Sequence, residues 1–266
     1  MERGTHMERG TRMQGKITLV TGGGGGIGAA TAELFCAQQA KVLLVDCDAA
    51  ALAKQAEAIA ARIPGAVISI CVADVTSAHD TAAAVAKAVE LFGGLTTLVN
   101  NAAVRYLSSV LDADLAQWEK VLSVNLLGAV TMSKAAIPEL RRSGNAGIVN
   151  LSSTYAEVGR RDFGAYDASK AALLSLTRTM AFVEAAHGIL VNAVCPVGTL
   201  TPFTVGRAKD RGLNESDLRG QAKGDTLQKR WGEAIEIAYP VLWFASNEAS
   251  FITGASLMVD GGTSIM

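Results

Sequence analysis

Only four cysteines and three histidines occur in the 266 residues, and neither type clusters. Cys36, Cys47, Cys71 and Cys195 show no CxxC spacing, and no HExxH is present. A disulfide framework and a zinc site therefore lack their ligands, and reduced thiols in a cytoplasmic protein are the expectation. Net charge is almost nil, at −1, so no global field draws the chain to nucleic acid or an anionic membrane. No uninterrupted apolar run reaches membrane-spanning length, and neither a nucleic-acid nor a membrane partner is expected. Proline is scarce, with five residues, and no Pro/Gly/Ser-rich linker divides the chain. The first 13 residues repeat MERGT and have no apolar core of a secretory signal. They are expected to be a non-native or disordered tail, which leaves 14–266 as one domain.

What remains is half hydrophobic and 18% charged, enough to bury a large core. Short apolar runs such as KITLVT, KVLLVD, VISICV, LTTLVN, GIVNLS and GILVNAV alternate with helix-spaced segments. The helices are expected near 49–62, 79–92, 112–141, 164–187 and 233–245. Continuous rather than alternating apolar strands are buried on both faces, which selects a single-domain, doubly wound α/β fold: a parallel, Rossmann-like sheet covered by helices. Polar residues break the pattern over 203–230, which reads as a long irregular lid or binding loop.

Between the first strand and the first helix lies TGGGGGIG, Thr21 to Gly28. Glycines let a backbone approach a ligand closely, and the following helix aims free N–H groups at the same place. A pyrophosphate suits both. Five consecutive glycines satisfy many patterns, and a flexible turn is the alternative. The strand–glycine–helix–strand context favours the dinucleotide, and Asp46 ends the second strand 18 residues after Gly28. An acid there accepts hydrogen bonds from a ribose 2′-hydroxyl and repels a 2′-phosphate, so NAD is expected rather than NADP.

Farther along, GAYDASK places Tyr166 and Lys170 four residues apart, on one helix face. A phenol ordinarily ionises near pH 10; a neighbouring ammonium and an oxidised nicotinamide are both positive and each favours phenolate, so with both beside it the Tyr166 pKa is expected to fall. In that state the phenol could move a proton during hydride transfer.

TGGGGGIG, NNAA, VNLLG, NLSS and YDASK, in this order, resemble the motif series of the compact short-chain dehydrogenases/reductases over residues 14–263. The resemblance implies Tyr166 as general acid/base, Lys170 as its partner, Ser153 holding the substrate oxygen and Asn125 anchoring a proton-relay water. It implies cofactor contacts from Thr21, Gly22, Gly26, Ile27 and Gly28 in the glycine loop. Asp46, Asp74 and Val75, Asn101 and Ala102, and Pro196 and Thr201 complete that set with Tyr166 and Lys170. Taken singly, most of these residues also read as caps or turn formers.

Two departures from the family pattern stand out: Ala103 where NNAG is usual, and Val197 where Pro-Gly is usual. A β-branched residue is costly at positive φ, so Val197 is expected to be extended, or Gly198 to take the turn. The resemblance further implies a small alcohol or ketone substrate and a homotetramer or homodimer. Arg105, Arg160 and Arg161 are candidate pocket residues, against the alternative that they are solvated or paired. Other readings are an NADPH-dependent 3-oxoacyl reductase and a non-catalytic dinucleotide sensor.

Overall fold

The computed structural model describes residues 9–209, 212–220 and 226–266. Its core is a seven-stranded parallel sheet in the order β3-β2-β1-β4-β5-β6-β9. The strands are β1 (Ile17–Thr21), β2 (Lys41–Asp46), β3 (Val67–Val72), β4 (Thr97–Asn100), β5 (Ala146–Leu151), β6 (Ile189–Pro196) and β9 (Ser256–Val259). β1, β4 and β5 are almost wholly buried, as continuous apolar runs require. The edge strands β3 and β9 are only partly buried, because each has one neighbour and less helix cover.

Helices α1 (Gly26–Ala37) and α9 (Ala234–Ala245) pack together on one face. There Phe35, Leu34, Val241 and Leu242 join Val20, Leu44 and Val149 in a core. α2 (Ala49–Arg62) follows β2 and adds Leu52 and Ile59 to the same core. The opposite face carries α3 (Ala78–Phe92), α5 (Gly128–Ser143) and α6 (Gly164–Glu184). Their Val85, Met132, Leu140 and Met180 meet Leu19, Leu98 and Ile148. Helix starts carry the expected acceptors: Asp48 caps α2, Ser77 caps α3, and Asp114 caps α4 (Leu115–Leu122).

Two expectations are corrected. The long helix read over 112–141 begins at Leu115 and is interrupted by a π-helical turn, Ser123–Leu127, between α4 and α5. This whole stretch, Leu115–Ser143, is long and apolar enough by composition to cross a membrane. Its α5 part nonetheless packs on the sheet through Met132, Ala136 and Leu140. Second, residues 203–230 are not simply irregular. α7 (Pro202–Lys209) and α8 (Glu215–Gly220) form there, and Leu200, Ala208 and Leu218 make a small core of their own with Trp231. The segment is pinned at its base by β7 (Thr199–Leu200) pairing with β8 (Gly232–Glu233). Positions 210, 211 and 221–225 of the predicted loop lie outside the described residues.

Of the tail, residues 9–13 are described. Met13 is fully buried among the α1/α9 core residues, and Arg12 pairs with Glu248 at 2.7 Å. An apolar residue abutting β1 has a hydrophobic site to fill, whatever precedes it. Residues 1–8 lie outside the described residues.

Candidate active site

Strand order reverses between β1 and β4, and a cavity of about 930 Å³ opens at the carboxyl ends of the strands there. Such a switch point is where open α/β sheets bind ligands. The glycine loop forms one end. Gly22 takes φ +66° and Gly26 φ +57°, values that favour glycine. Gly28 serves a different purpose: a Cβ there would lie 2.2 Å from the Gly22 carbonyl oxygen, so its small size lets α1 close on the loop. Gly25 is the N-cap of α1 and supplies no side-chain acceptor. The first N–H groups of that helix are therefore left for a ligand, beside a cavity lined by Gly22, Gly25, Gly26 and Ile27. This chemistry fits a dinucleotide pyrophosphate.

Asp46 lines the same end. One carboxylate oxygen accepts from the Gly24 amide at 3.0 Å and the other from the Asp48 amide at 3.1 Å. The Cys47 thiol donates to the second oxygen as well, at 3.6 Å; these bonds fix the carboxylate, and the oxygen facing Gly24 keeps a lone pair for a ribose hydroxyl. Asn101 also lines the cavity; its Nδ2 donates to the carbonyls of Thr21 and Gly22. Thr21 stands behind it, with Oγ1 accepting from the amides of Asn101 and Ala102. Thr21, Ala102 and Gly28 thus support the wall without lining it.

Asp74 and Val75 do not line the cavity. Asp74 accepts from the amide and hydroxyl of Thr76, both at 2.8 Å, as a turn-forming aspartate does. Val75 is buried against Gly128.

The chemical end brings Ser153, Tyr166, Lys170, Pro196 and Thr201 to one wall. Ser153 follows β5 and caps a short 3₁₀ turn, Thr154–Ala156, its Oγ accepting from the Tyr155 amide at 3.2 Å. Ser152 is committed elsewhere, donating to the Lys170 carbonyl at 2.8 Å. Tyr166 lies in the first turn of α6, packed with Val121, Ala165, Trp118 and Phe163.

The lowering expected of the Tyr166 pKa counts on an oxidised nicotinamide as well as Lys170; the chain by itself sets a different starting point. Burial pushes the phenol above its ordinary value; Arg105 and then Arg160 pull it back, and Asp167 adds to the rise. Lys170 lies on the same helix face, its Nζ 5.6 Å from the ring centroid. It is 2% exposed, burial brings its pKa down to about 7, and its Nζ donates to the Leu151 carbonyl at 2.6 Å.

Asn125 sits in the π-helical turn and is 1% exposed. Its Oδ1 accepts from the Val104 amide at 2.8 Å, and its Nδ2 donates to the Val104 carbonyl and to Ser169 Oγ. These bonds fasten the loop after β4 to α6. The side chain meets the cavity wall from behind and does not line it.

Val197 keeps negative φ while Gly198 takes φ +29°, so the glycine absorbs the turn that Pro-Gly would make. Ala103 lines the cavity without strain. Of the three arginines, Arg160 is paired: its guanidinium meets Asp167 at 2.7 Å and stacks 3.9 Å from the Tyr155 ring centroid and 3.6 Å from that of Phe163. The alternative of mutual pairing holds for it, with Asp167 as the partner. Gly198 and Thr199 line the cavity within the stretch 197–230 expected to do so, and Gly25 and Trp231 line it without having been singled out. Gly25 could have been found as the residue before α1; Trp231 carried no local signal.

Comparison with known proteins agrees in extent and class. Residues 22–264 match a family described as enoyl-(acyl carrier protein) reductase. The chain is 38% identical to 2-(S)-hydroxypropyl-CoM dehydrogenase 3 of Xanthobacter autotrophicus, over 94% of this chain and 97% of that one. It is 36% identical to a 2,5-dichloro-2,5-cyclohexadiene-1,4-diol dehydrogenase of Sphingobium indicum, over 96% and 98% of the two chains. A crystal structure of a short-chain dehydrogenase/reductase from Burkholderia xenovorans superposes with a TM-score of 0.90 at 32% identity, covering 96% of this chain and 99% of that one.

Proposed function

The chain belongs to the short-chain dehydrogenase/reductase family, and from that premise we propose that it is an NAD-dependent oxidoreductase interconverting a secondary alcohol and a ketone on a small molecule. The observation that carries this reading is the shared wall of one cavity. Ser153, Tyr166 and Lys170 stand at one end, the uncapped α1 terminus and Asp46 at the other. When bound, a nicotinamide dinucleotide supplies the acceptor or donor of hydride.

Ser153 and Tyr166 hold the substrate oxygen. In oxidation the alcohol O–H bond breaks and its proton passes to the Tyr166 phenolate oxygen, while a dinucleotide held by the glycine loop would supply the acceptor for the hydride that the carbinol carbon gives up. Lys170, one turn along α6 and on the cavity lining, would hold the ribose of the dinucleotide. Asp46 supports the choice of NAD: its carboxylate faces the cavity, and no lysine or arginine occurs from Gly22 to Asp48 except Lys41 at the far end of β2. The names of the two relatives, both dehydrogenases of hydroxyl-bearing compounds, support the alcohol class.

We place the protein in the cytoplasm as a homotetramer or homodimer, without a nucleic-acid or membrane partner. Exposed Val110, Leu111, Leu115, Phe182 and Phe251 support self-association, and four free cysteines support a reducing compartment.

A panel of secondary alcohols with NAD, followed at the NADH absorbance band, tests the reading. Turnover of at least one alcohol class is expected. NADH binding without turnover across a wide panel would favour a sensor instead.

A further inference from the structure

Charge is spread unevenly along the cavity. The glycine-loop end carries the Asp46 carboxylate and no cation among its lining residues. Arg105, Arg160 and Arg161 line the end that holds Ser153 and Tyr166, against one lining carboxylate there, Asp162. This positive charge is therefore placed for a substrate and not for a 2′-phosphate.

Arg160 is held rigid. Its Cζ lies 3.9 Å from the Tyr155 ring centroid and 3.6 Å from that of Phe163, and its side chain is 19% exposed. Asp167 takes its Nε and Nη2. Nη1 makes no hydrogen bond among the described residues, so that edge of the guanidinium keeps its donors. Stacking on rings leaves such in-plane donors available.

Arg161 differs from its neighbour. It is exposed, lines the cavity, and its side chain has no ion pair or hydrogen bond among the described residues. Its backbone is nonetheless fixed. Asp162 takes φ +65°, and its carbonyl accepts from the Ser108 amide at 3.0 Å, which ties residues 160–163 to the loop after β4. The Asp162 carboxylate makes no ion pair among the described residues, while Arg160 pairs with Asp167. Leu107, Leu218 and Trp231 supply apolar lining to the same cavity. Beside low-dielectric walls a cation attracts an anion more strongly than in open water.

We propose that the substrate is a small hydroxy acid, or the matching oxo acid, whose carboxylate is held by Arg161 and by Nη1 of Arg160 while its carbinol meets Ser153 and Tyr166. The proposal rests on the reading of this cavity as an alcohol-oxidising site and adds the chemical class of the substrate. Arg160 Cζ is 5.4 Å from the Tyr166 ring centroid, so a short molecule spans both groups. The two arginines act differently. Arg161 supplies a charge that no side chain of the protein balances. Arg160 supplies orientation, because Asp167 already balances its charge.

The first test needs no turnover. Isothermal titration calorimetry, with and without NADH, compares isovalerate with isovaleramide, which match in shape and differ in charge. The acid is expected to bind at least about tenfold more tightly. Arg161→Gln should cut that ratio at least about fivefold, Arg161→Lys should keep more than half of it, and added salt should lower it. Arg161 is exposed and touches no described partner, so both variants are expected to fold. The second test measures oxidation of short hydroxy acids and of their methyl esters with NAD. kcat/KM should favour the acids at least about tenfold, and Arg161→Gln should raise KM for the acids more than it lowers kcat. Equal binding of acid and amide, no binding of the acid, or an acid preference untouched by Arg161→Gln would overturn the proposal. So would methyl esters oxidised as well as the acids. An intact binding preference without turnover of acids or esters would instead remove the alcohol-oxidising reading and leave the carboxylate site standing.

Discussion

Lys170 points its ammonium at the carbonyl of Leu151, 2.6 Å away, although Tyr166 lies one helical turn behind it. The lysine is thus anchored to the carboxyl end of β5, with its Nζ 5.6 Å from the Tyr166 ring centroid. Four predictions follow from this arrangement and from the glycine loop.

Replacing Tyr166 with Phe removes the hydroxyl and keeps the ring that packs on Val121 and Trp118. NADH binding, measured by fluorescence, should remain within about threefold, while turnover should fall by about 10²–10⁴, the usual worth of a general acid/base. Residual activity near the unaltered level would show that another group moves the proton.

Burying Lys170 has a pH signature. Its folded pKa, about 7, lies below the unfolded value of 10.5, so the unfolded chain binds more protons between those limits. Stability from this residue therefore rises with pH across the window and is lowest below pH 7. Relative to Lys170→Met, the unaltered apoprotein should gain about 1.4 kcal/mol per pH unit between pH 7.5 and 9. Comparing only these two proteins cancels the buried cysteines, whose raised pKa values act with the opposite sign above pH 9. Parallel stability curves from urea denaturation would contradict the depressed pKa.

Gly28→Ala would press a methyl group against the Gly22 carbonyl oxygen and Asn101 Nδ2. Backbone cannot yield as a flexible side chain can. A loss of about 1–3 kcal/mol in denaturation is expected, with at least tenfold weaker NADH binding. Gly65→Ala, where nothing lies within 4 Å but φ is +87°, separates the effects: it should cost only about 1 kcal/mol and leave NADH binding intact.

Asp46 should set the choice between the two dinucleotides. Titration is expected to show NADH bound at least tenfold more tightly than NADPH, and Asp46→Ala should narrow that ratio. Tighter NADPH binding by the unaltered protein would remove the role given to the carboxylate.

Much of this architecture was legible in the sequence, because its strands are unbroken apolar runs and its helices are flanked by short side-chain caps. TGGGGGIG announced the turn that feeds α1, and the tyrosine–lysine spacing announced one face of α6. What escaped notice depends on contacts distant in sequence. The direction of the Tyr166 pKa follows from how deeply the ring is buried, which no four-residue spacing records. The Lys170 ammonium finds a carbonyl 19 residues away. α7 and α8 are polar because they lie over a small private core, so a hydropathy reading mistook them for loop. Met13 is buried among core residues drawn from both ends of the chain, which no local pattern records.

The π-helical turn at Ser123–Leu127 also separates two rotational settings. An extra residue in a helical spiral advances everything beyond it by about 100°. Upstream, Trp118 and Val121 are thereby aimed at the tyrosine; downstream, Met132 and Leu140 remain seated on the sheet. Deleting one residue within the turn would give a smoother spiral, yet it would swing the indole away from Tyr166 or unseat the methionine. The irregular turn lets a single rod serve the catalytic wall and the central core, whose geometric demands a perfect helix could not meet together.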